Sequence, residues 1–194
     1  VGHLLELCVP EEYDIKRGKW SFTHLPHIPP HFDLRPTVKS EARLKSLAKL
    51  IRRKDVDHVI NACDAGREGE LIFRYIMQYT KAKQPSQRLW LQSMTPTAIR
   101  DGLAHLRSDE QMLNLADAAR SRSEADWLVG INGTRAMTAF NSKDGGFFLT
   151  TVGRVQTPTL TVVVEREEAI RKFVSRDFWE VHAEFVCAQG IYKG

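Results

Sequence analysis

Ala62-Cys-Asp-Ala-Gly-Arg-Glu-Gly-Glu70 sets three carboxylates, Asp64, Glu68 and Glu70, around two glycines where an apolar run gives way to a helical pattern. Upstream, Asp57-His-Val-Ile-Asn-Ala-Cys63 is short and rich in β-branched residues, as expected of a buried strand in a parallel sheet. Downstream, Leu71, Ile72, Tyr75, Ile76 and Tyr79 recur three or four apart and predict a helix to about Thr80. Asp64 therefore falls at the carboxyl end of a strand, where open α/β sheets take ligands. Glu68 follows one helical turn later, close enough to share a metal with Asp64 or to work beside it. Hard oxygen ligands in such a place suit Mg²⁺, which keeps part of its water shell and bridges to phosphate oxygens. The same residues also suit a plain helix start, with Asp64 as the cap and the glutamates favouring its positive end. Arg67 fits either a phosphate contact or a salt bridge that locks that start.

Working outward, Leu44, Leu47, Ala48, Leu50 and Ile51 give the stretch Ser40–Lys54 an apolar helical side, and Gln87–Gln92 reads as a further strand. Strand alternating with helix is the pattern of a parallel α/β sheet with flanking helices. Residues 1 to about 40 read as an irregular opening segment. Within it, His24-Leu-Pro-His-Ile-Pro-Pro-His31 invites a metal reading, but its three prolines forbid the helix that would align the histidines, which favours a solvated loop. After Ser93 the pattern turns helical. Thr95-Pro-Thr-Ala offers a hydroxyl cap with proline in the first turn. Residues 109 to about 140 predict a long helix with possible bends at Gly130 and Gly133. A polar loop over Asn141–Thr151 leads to a last helix from about Arg154 to Phe173, and Phe178–Ile191 alternates as a strand does.

Composition narrows the classes. The 194 residues are 42% hydrophobic, enough for a core, and carry a net charge of +4. That charge permits an anionic partner without demanding one. Cys8, Cys63 and Cys187 are odd in number and far apart, which argues against a disulfide framework or zinc ribbon and fits a reducing cytoplasm. There is no charged-then-apolar leader and no apolar run of about 18 residues, so a soluble intracellular segment of a larger protein, without membrane contact, is expected. A Walker-type nucleotide site is poorly supported, because Ala65–Glu70 lacks the phosphate-reaching lysine.

The string Asp64-x-x-Arg-Glu-Gly-Glu70 after an apolar strand resembles the acidic signature of Toprim domains, specifically that of type IA DNA topoisomerases. Ala119-Arg-Ser-Arg-Ser-Glu-Ala-Asp-Trp-Leu-Val-Gly130 resembles the family's Arg-x-x-x-Asp-Trp helix, and Thr151-Val-Gly-Arg-Val-Gln-Thr-Pro158 its Ser-x-Gly-Arg-Val-Gln-Thr-Pro segment. Val164-Glu-Arg-Glu-Glu and Phe178-Trp-Glu-Val181 continue the likeness, which within the family points to the bacterial topoisomerase III branch. One departure stands out. Where the family usually has a second Asp two residues after the first, this chain has Gly66, as some topoisomerase III-like sequences do, so fewer carboxylates face a metal.

The resemblance implies a partial Toprim domain over residues 1–92 with its first strand missing, a helical single-strand DNA-binding domain over 93–177, and the start of a β-rich domain over 178–194. It implies Mg²⁺ at Asp64 and Glu68, with Glu70 weaker, and a DNA groove formed by His3, Arg122, Asp126, Arg135, Thr151, Gly153, Arg154 and Gln156. Asp126 repels phosphate, so it is expected to meet a base edge or sugar, or to orient an arginine. Trp127 suits core packing better than base stacking. The family's chemistry, cutting and religating one DNA strand through a 5′-phosphotyrosine, needs a tyrosine in a Tyr-Pro-Arg context and a first-strand glutamate, and neither is in this chain. The expected whole is therefore a bacterial cytoplasmic, nucleoid-associated topoisomerase, of which these residues form a monomeric piece that needs the remainder of the parent chain to react. A non-catalytic single-strand-binding module, or another Toprim enzyme such as a primase or nuclease, stays open as the alternative.

Overall fold

The computed structural model describes residues 2–13 and 20–194. They form two compact units, Val1–Arg154 and Val155–Gly194.

The first unit opens with β1 (Leu5–Leu7), paired antiparallel with β2 (Leu34–Pro36) so that Leu5 faces Pro36 and Leu7 faces Leu34. The two-residue period of a strand turns Leu5 and Leu7 into the core. Glu6, between them, points outward and accepts from Arg35 Nε across the ladder at 2.8 Å. A short helix, α1 (Pro10–Tyr13), follows β1. The opening segment is thus not irregular throughout, as the sequence reading expects: Leu4, Leu5 and Leu7 are among the most buried side chains. Strands of three residues carry too few repeats to show a period. Val1 and residues 14–19 of that segment lie outside the described residues.

α2 (Glu41–Ile51) inserts Leu44, 2% exposed, beneath these strands. Full burial of such a side chain stabilises by about 1.5–3 kcal/mol. Ser40, just before the helix, donates its hydroxyl to the Leu4 carbonyl at 2.6 Å, which pins α2 to the β1 end of the core. β3 (Val59–Asn61) runs parallel to β4 (Ser86–Arg88), and α3 (Arg67–Thr80) is the helix that joins them. β4 also pairs antiparallel with β5 (Arg107–Ser108). The mixed α/β architecture therefore rests on one parallel pair with an antiparallel edge strand, not on a wide parallel sheet. α3 buries Leu71, Tyr75 and Ile76 against the β1 leucines, Leu44, and Ala119 of a later helix.

α4 (Pro96–Ala104) begins as its sequence spells out, with Thr95 Oγ1 accepting from the Ala98 N–H at 3.3 Å and Pro96 in the first position. A 3₁₀ turn at Glu110–Met112 leads into α5 (Leu113–Asn141), 29 residues long. α5 continues unbroken through Gly130 and Gly133, the expected bends. Close approach explains Gly133, since a Cβ there would stand 2.8 Å from Val152 Cγ1. The missing side chain lets the segment after the 141–149 loop lie along α5, where the Val152 N–H donates to Thr134 Oγ1 at 2.9 Å.

The second unit holds α6 (Gln156–Arg171) and a hairpin of β6 (Glu184–Cys187) and β7 (Gly190–Lys193), with Phe185 stacked on Tyr192 at 5.0 Å. Among the described residues, no helix is long and apolar enough to cross a membrane.

Candidate nucleic-acid interface and acidic turn

The turn between β3 and α3 carries Asp64. Gly66, at its end, is fully extended (φ 171°, ψ 179°), and α3 starts one residue later. The first turn of α3 then presses against the backbone of Asp64: a Cβ on Gly69 would fall 2.1 Å from the Asp64 carbonyl oxygen. Only glycine fits at position 69, so this motif glycine has a packing reason.

The three motif carboxylates go separate ways. Asp64 and Glu68 are exposed, and Glu70 is 1% exposed. Glu70 Oε1 accepts from Arg74 Nε at 2.8 Å, Oε2 accepts from Asn61 Nδ2 at 3.0 Å, and Arg88 Nε lies 3.6 Å away. A carboxylate surrounded by buried donors is a structural anchor, so Glu70 does not offer itself as the third metal ligand that the motif suggested. Asp64 borders a hollow of about 560 Å³ beside Leu89, Leu91 and Met94, whereas Glu68 borders a different cleft. Among the described residues, no three His, Cys, Asp or Glu side chains gather into a metal-holding group.

The cleft at Glu68, about 440 Å³, brings together residues far apart in sequence: His3, Glu68, Arg122 and Asp126, over a floor that includes Leu71 and Tyr75. His3 Nε2 stands 3.6 Å from Glu68 Oε2. Helical spacing along α5 puts Arg122 and Asp126 on the same side, four residues apart. Asp126 grips Arg154 through two contacts, Nε to Oδ1 and Nη2 to Oδ2, the latter at 3.2 Å. Hydrogen bonding from Arg154 holds the Asp126 carboxyl below its usual range. Asp126 thus orients an arginine, one of the two roles left open for it. Arg154 remains part-exposed at the edge of this pair.

Other expected groove residues lie elsewhere. Arg135 is 4% exposed, forms an ion pair with Glu11, donates to His27 Nε2 at 3.3 Å and has its guanidinium 5.4 Å from the Trp20 ring centre. It ties the opening segment to α5 and does not face the cleft. His27, expected in a solvated loop, is buried by the same contacts, and its backbone exchanges hydrogen bonds with Asn132. His31 is exposed as expected. Thr151 is exposed and Gly153 half-buried on the segment along α5, and Gln156 opens α6 in the second unit. Trp127 packs edge-on against Phe32 and Tyr13 and donates to the Cys8 carbonyl at 2.9 Å, so its larger part belongs to the core.

Sequence reasoning missed Asn61 and Arg88. Both are buried and both serve the acidic turn, Asn61 Oδ1 accepting from the Cys63 N–H at 3.1 Å. An arginine in a short run ending Leu-Trp-Leu carries no local signal that it points inward.

Comparison with known proteins shows what the chain is similar to. A family model described as DNA topoisomerase matches residues 110–193. DNA topoisomerase 3 of Bacillus cereus is 40% identical over 185 residues, 95% of this chain and 25% of that protein. DNA topoisomerase 3 of Shouchella clausii is also 40% identical, over 184 residues and the same shares of each chain. The structure of full-length topoisomerase I from Thermotoga maritima superposes with a TM-score of 0.62 at 21% identity, covering 95% of this chain and 27% of that one, which speaks for the fold. Over nearly its whole length the chain is thus similar to DNA topoisomerase 3 proteins, and residues 110–193 match the DNA topoisomerase family model. It spans about a quarter of the length of the DNA topoisomerase 3 relatives that it matches.

Proposed function

We propose that these residues supply the acidic turn and the single-strand DNA groove of a type IA topoisomerase, an enzyme that cuts and reseals one DNA strand through a 5′-phosphotyrosine with Mg²⁺. The cleft that joins His3, Glu68, Arg122 and Asp126, with Arg154 gripped at its Asp126 edge, carries this reading. Arginine forks suit phosphate oxygens, and Asp126 would hold the Arg154 fork in a fixed direction as a strand lies down. Asp64, exposed at the turn, fits an ion held loosely and completed by water and phosphate oxygens, not one caged by protein, while Glu68 borders the separate cleft of the groove. Bound there, Mg²⁺ would neutralise phosphate charge.

Three of the chain's four tyrosines are engaged elsewhere. Tyr13 OH accepts from the Asp33 N–H at 2.7 Å, Tyr75 OH donates to Ser123 Oγ at 3.0 Å, and Tyr192 stacks in the hairpin. The nucleophile and the acid–base glutamate would come from the remainder of the parent chain, in the bacterial cytoplasm, and the 194 residues alone would bind a strand without cleaving it. A division at about residues 92 and 177 into Toprim, groove and β-rich parts belongs to the same reading.

Fluorescence anisotropy with a labelled single-stranded oligonucleotide tests the groove. Arg122→Ala and Arg154→Ala should each weaken binding by about tenfold, the worth of one charge-assisted contact of about 1.4 kcal/mol. Wild-type affinity in both variants would remove the groove. The inward turn of Glu70 favours one rival, a binding module whose acidic motif is purely structural. Mn²⁺ titration separates the two: an affinity left unchanged by Asp64→Asn speaks for the rival.

A further inference from the structure

We propose that Arg88, seated on Glu70, is a positioning residue that sets the direction of the Asp64 carboxylate by clamping the backbone of its turn. The inference rests on the reading of Asp64 as the metal-facing group.

Arg88 and Glu70 are each 1% exposed. Arg88 Nη1 donates to the Asn61 carbonyl at 3.0 Å, to Asn61 Oδ1 at 2.8 Å and to the Cys63 carbonyl at 2.7 Å, while Nη2 donates to the Asp64 carbonyl. β3 ends at Asn61, so the carbonyls of Cys63 and Asp64 lie beyond the last ladder pair and have no neighbouring strand to meet. One guanidinium takes the place of the missing strand. Its planar fork can reach several carbonyls at once, which the point charge of a lysine cannot.

The rest of the network keeps that fork in place. Glu70 sits beside Arg88 Nε and is itself fastened by Arg74, which reaches on to Asp109 at 2.9 Å. The Trp90 ring lies 5.3 Å from the Arg88 guanidinium. Gly69 also brings the first turn of α3 against the same Asp64 backbone. A buried arginine is costly to desolvate, and an apolar side chain would fill the space with less loss. Every turn oxygen it binds lies within three residues of Asp64 or belongs to it, so the arrangement immobilises the residue that projects into solvent.

Hydrogen exchange and Mn²⁺ titration on the 194-residue chain test the clamp. Arg88→Met should speed exchange of the peptide spanning 62–66 by about tenfold or more while α5 keeps its wild-type protection. It should also weaken Mn²⁺ by about tenfold to a hundredfold, the usual effect of losing an outer partner of a metal site. Arg88→Lys, which keeps the charge, should fall between the two and serves if Arg88→Met does not fold. Val186→Ala, at an exposed position of the hairpin in the second unit, should leave both the turn and Mn²⁺ affinity as they are. Unchanged exchange over 62–66 in the Arg88 variants would overturn the clamp, and so would a loosened turn with wild-type Mn²⁺ affinity where Asp64→Asn loses it. If the wild-type chain binds no Mn²⁺, the metal reading alone falls, and the exchange of the turn still decides the clamp in either direction.

Discussion

Cys8, Cys63 and Cys187 share one chemistry and occupy three environments. Burial, reinforced by Glu12, pushes the Cys8 thiol up to about 11, and burial also raises Cys63, whereas Cys187 is exposed in the hairpin. Because the thiolate is the reactive form, iodoacetamide at about pH 8 should label Cys187 first, Cys63 more slowly and Cys8 least, as read by peptide mass spectrometry. Asp109 shows the opposite balance. Its burial opposes ionisation, but hydrogen bonds from Ser86 and Arg74 outweigh that and hold its carboxyl below the usual range. A carboxyl depressed in the folded state stabilises above its unfolded value, about 3.9, and loses that contribution as pH falls through the folded value. The urea midpoint should therefore hold from neutral pH to about 5 and drop below about 4. Asp109→Asn should lower the midpoint at pH 7 and make that acid limb shallower. At this scale the sequence was legible where a residue type matches one environment, as with exposed Asp64 and Glu68. It was illegible for Arg88 and Arg135, because an arginine's burial depends on partners, Glu70 in one case and Glu11 in the other, that only the fold brings near.

Among the elements, α2 and α3 were readable because their apolar residues repeat over several turns, and α4, α5 and α6 also fall in the stretches read as helical. β1 and β2 escaped because three residues cannot show a period and neither has the β-branched run before a helical pattern that marked β3; the antiparallel partner β5 is shorter still. The glycines of α5 were visible as glycines, but their purpose depends on a segment that returns to the helix some twenty residues later. Gly133→Ala gives that purpose a measurement. Helix propensity alone favours alanine by up to about 1 kcal/mol, whereas crowding against Val152 costs about 1–3 kcal/mol. The contact sits at 2.8 Å on a β-branched side chain held near backbone, so crowding wins and thermal or urea unfolding should show net destabilisation. Val152→Ala in the same background should recover part of the loss.

For the molecule as a whole, the charge of +4 is too small to draw DNA at a distance, so the proposed affinity for DNA would have to come from placement. The cleft supplies placement by collecting residues from the opening segment, α3 and α5 on one face of the first unit. If about four phosphates are neutralised there, single-strand binding should fall with added salt at a log–log slope of about −3. A flat response would sink the groove. The family motifs name residue types in order along the chain, and the fold brings four of them, His3, Glu68, Arg122 and Asp126, to one cleft. The depth of the cleft and the division of labour among the three carboxylates were not legible, because both follow from which side chains the core claims first.

Gly66 leaves room for a change that its neighbour Gly69 forbids. Its backbone is extended, a shape open to any amino acid, and nothing stands within 4 Å of the point a Cβ would occupy. Gly66→Asp should therefore be accommodated with no loss of thermal midpoint while raising Mn²⁺ affinity on the order of tenfold, since ligand charge count tunes such sites. The turn has room for a further carboxylate, so any grip it has on metal would be adjustable at one position without redesigning the scaffold beneath.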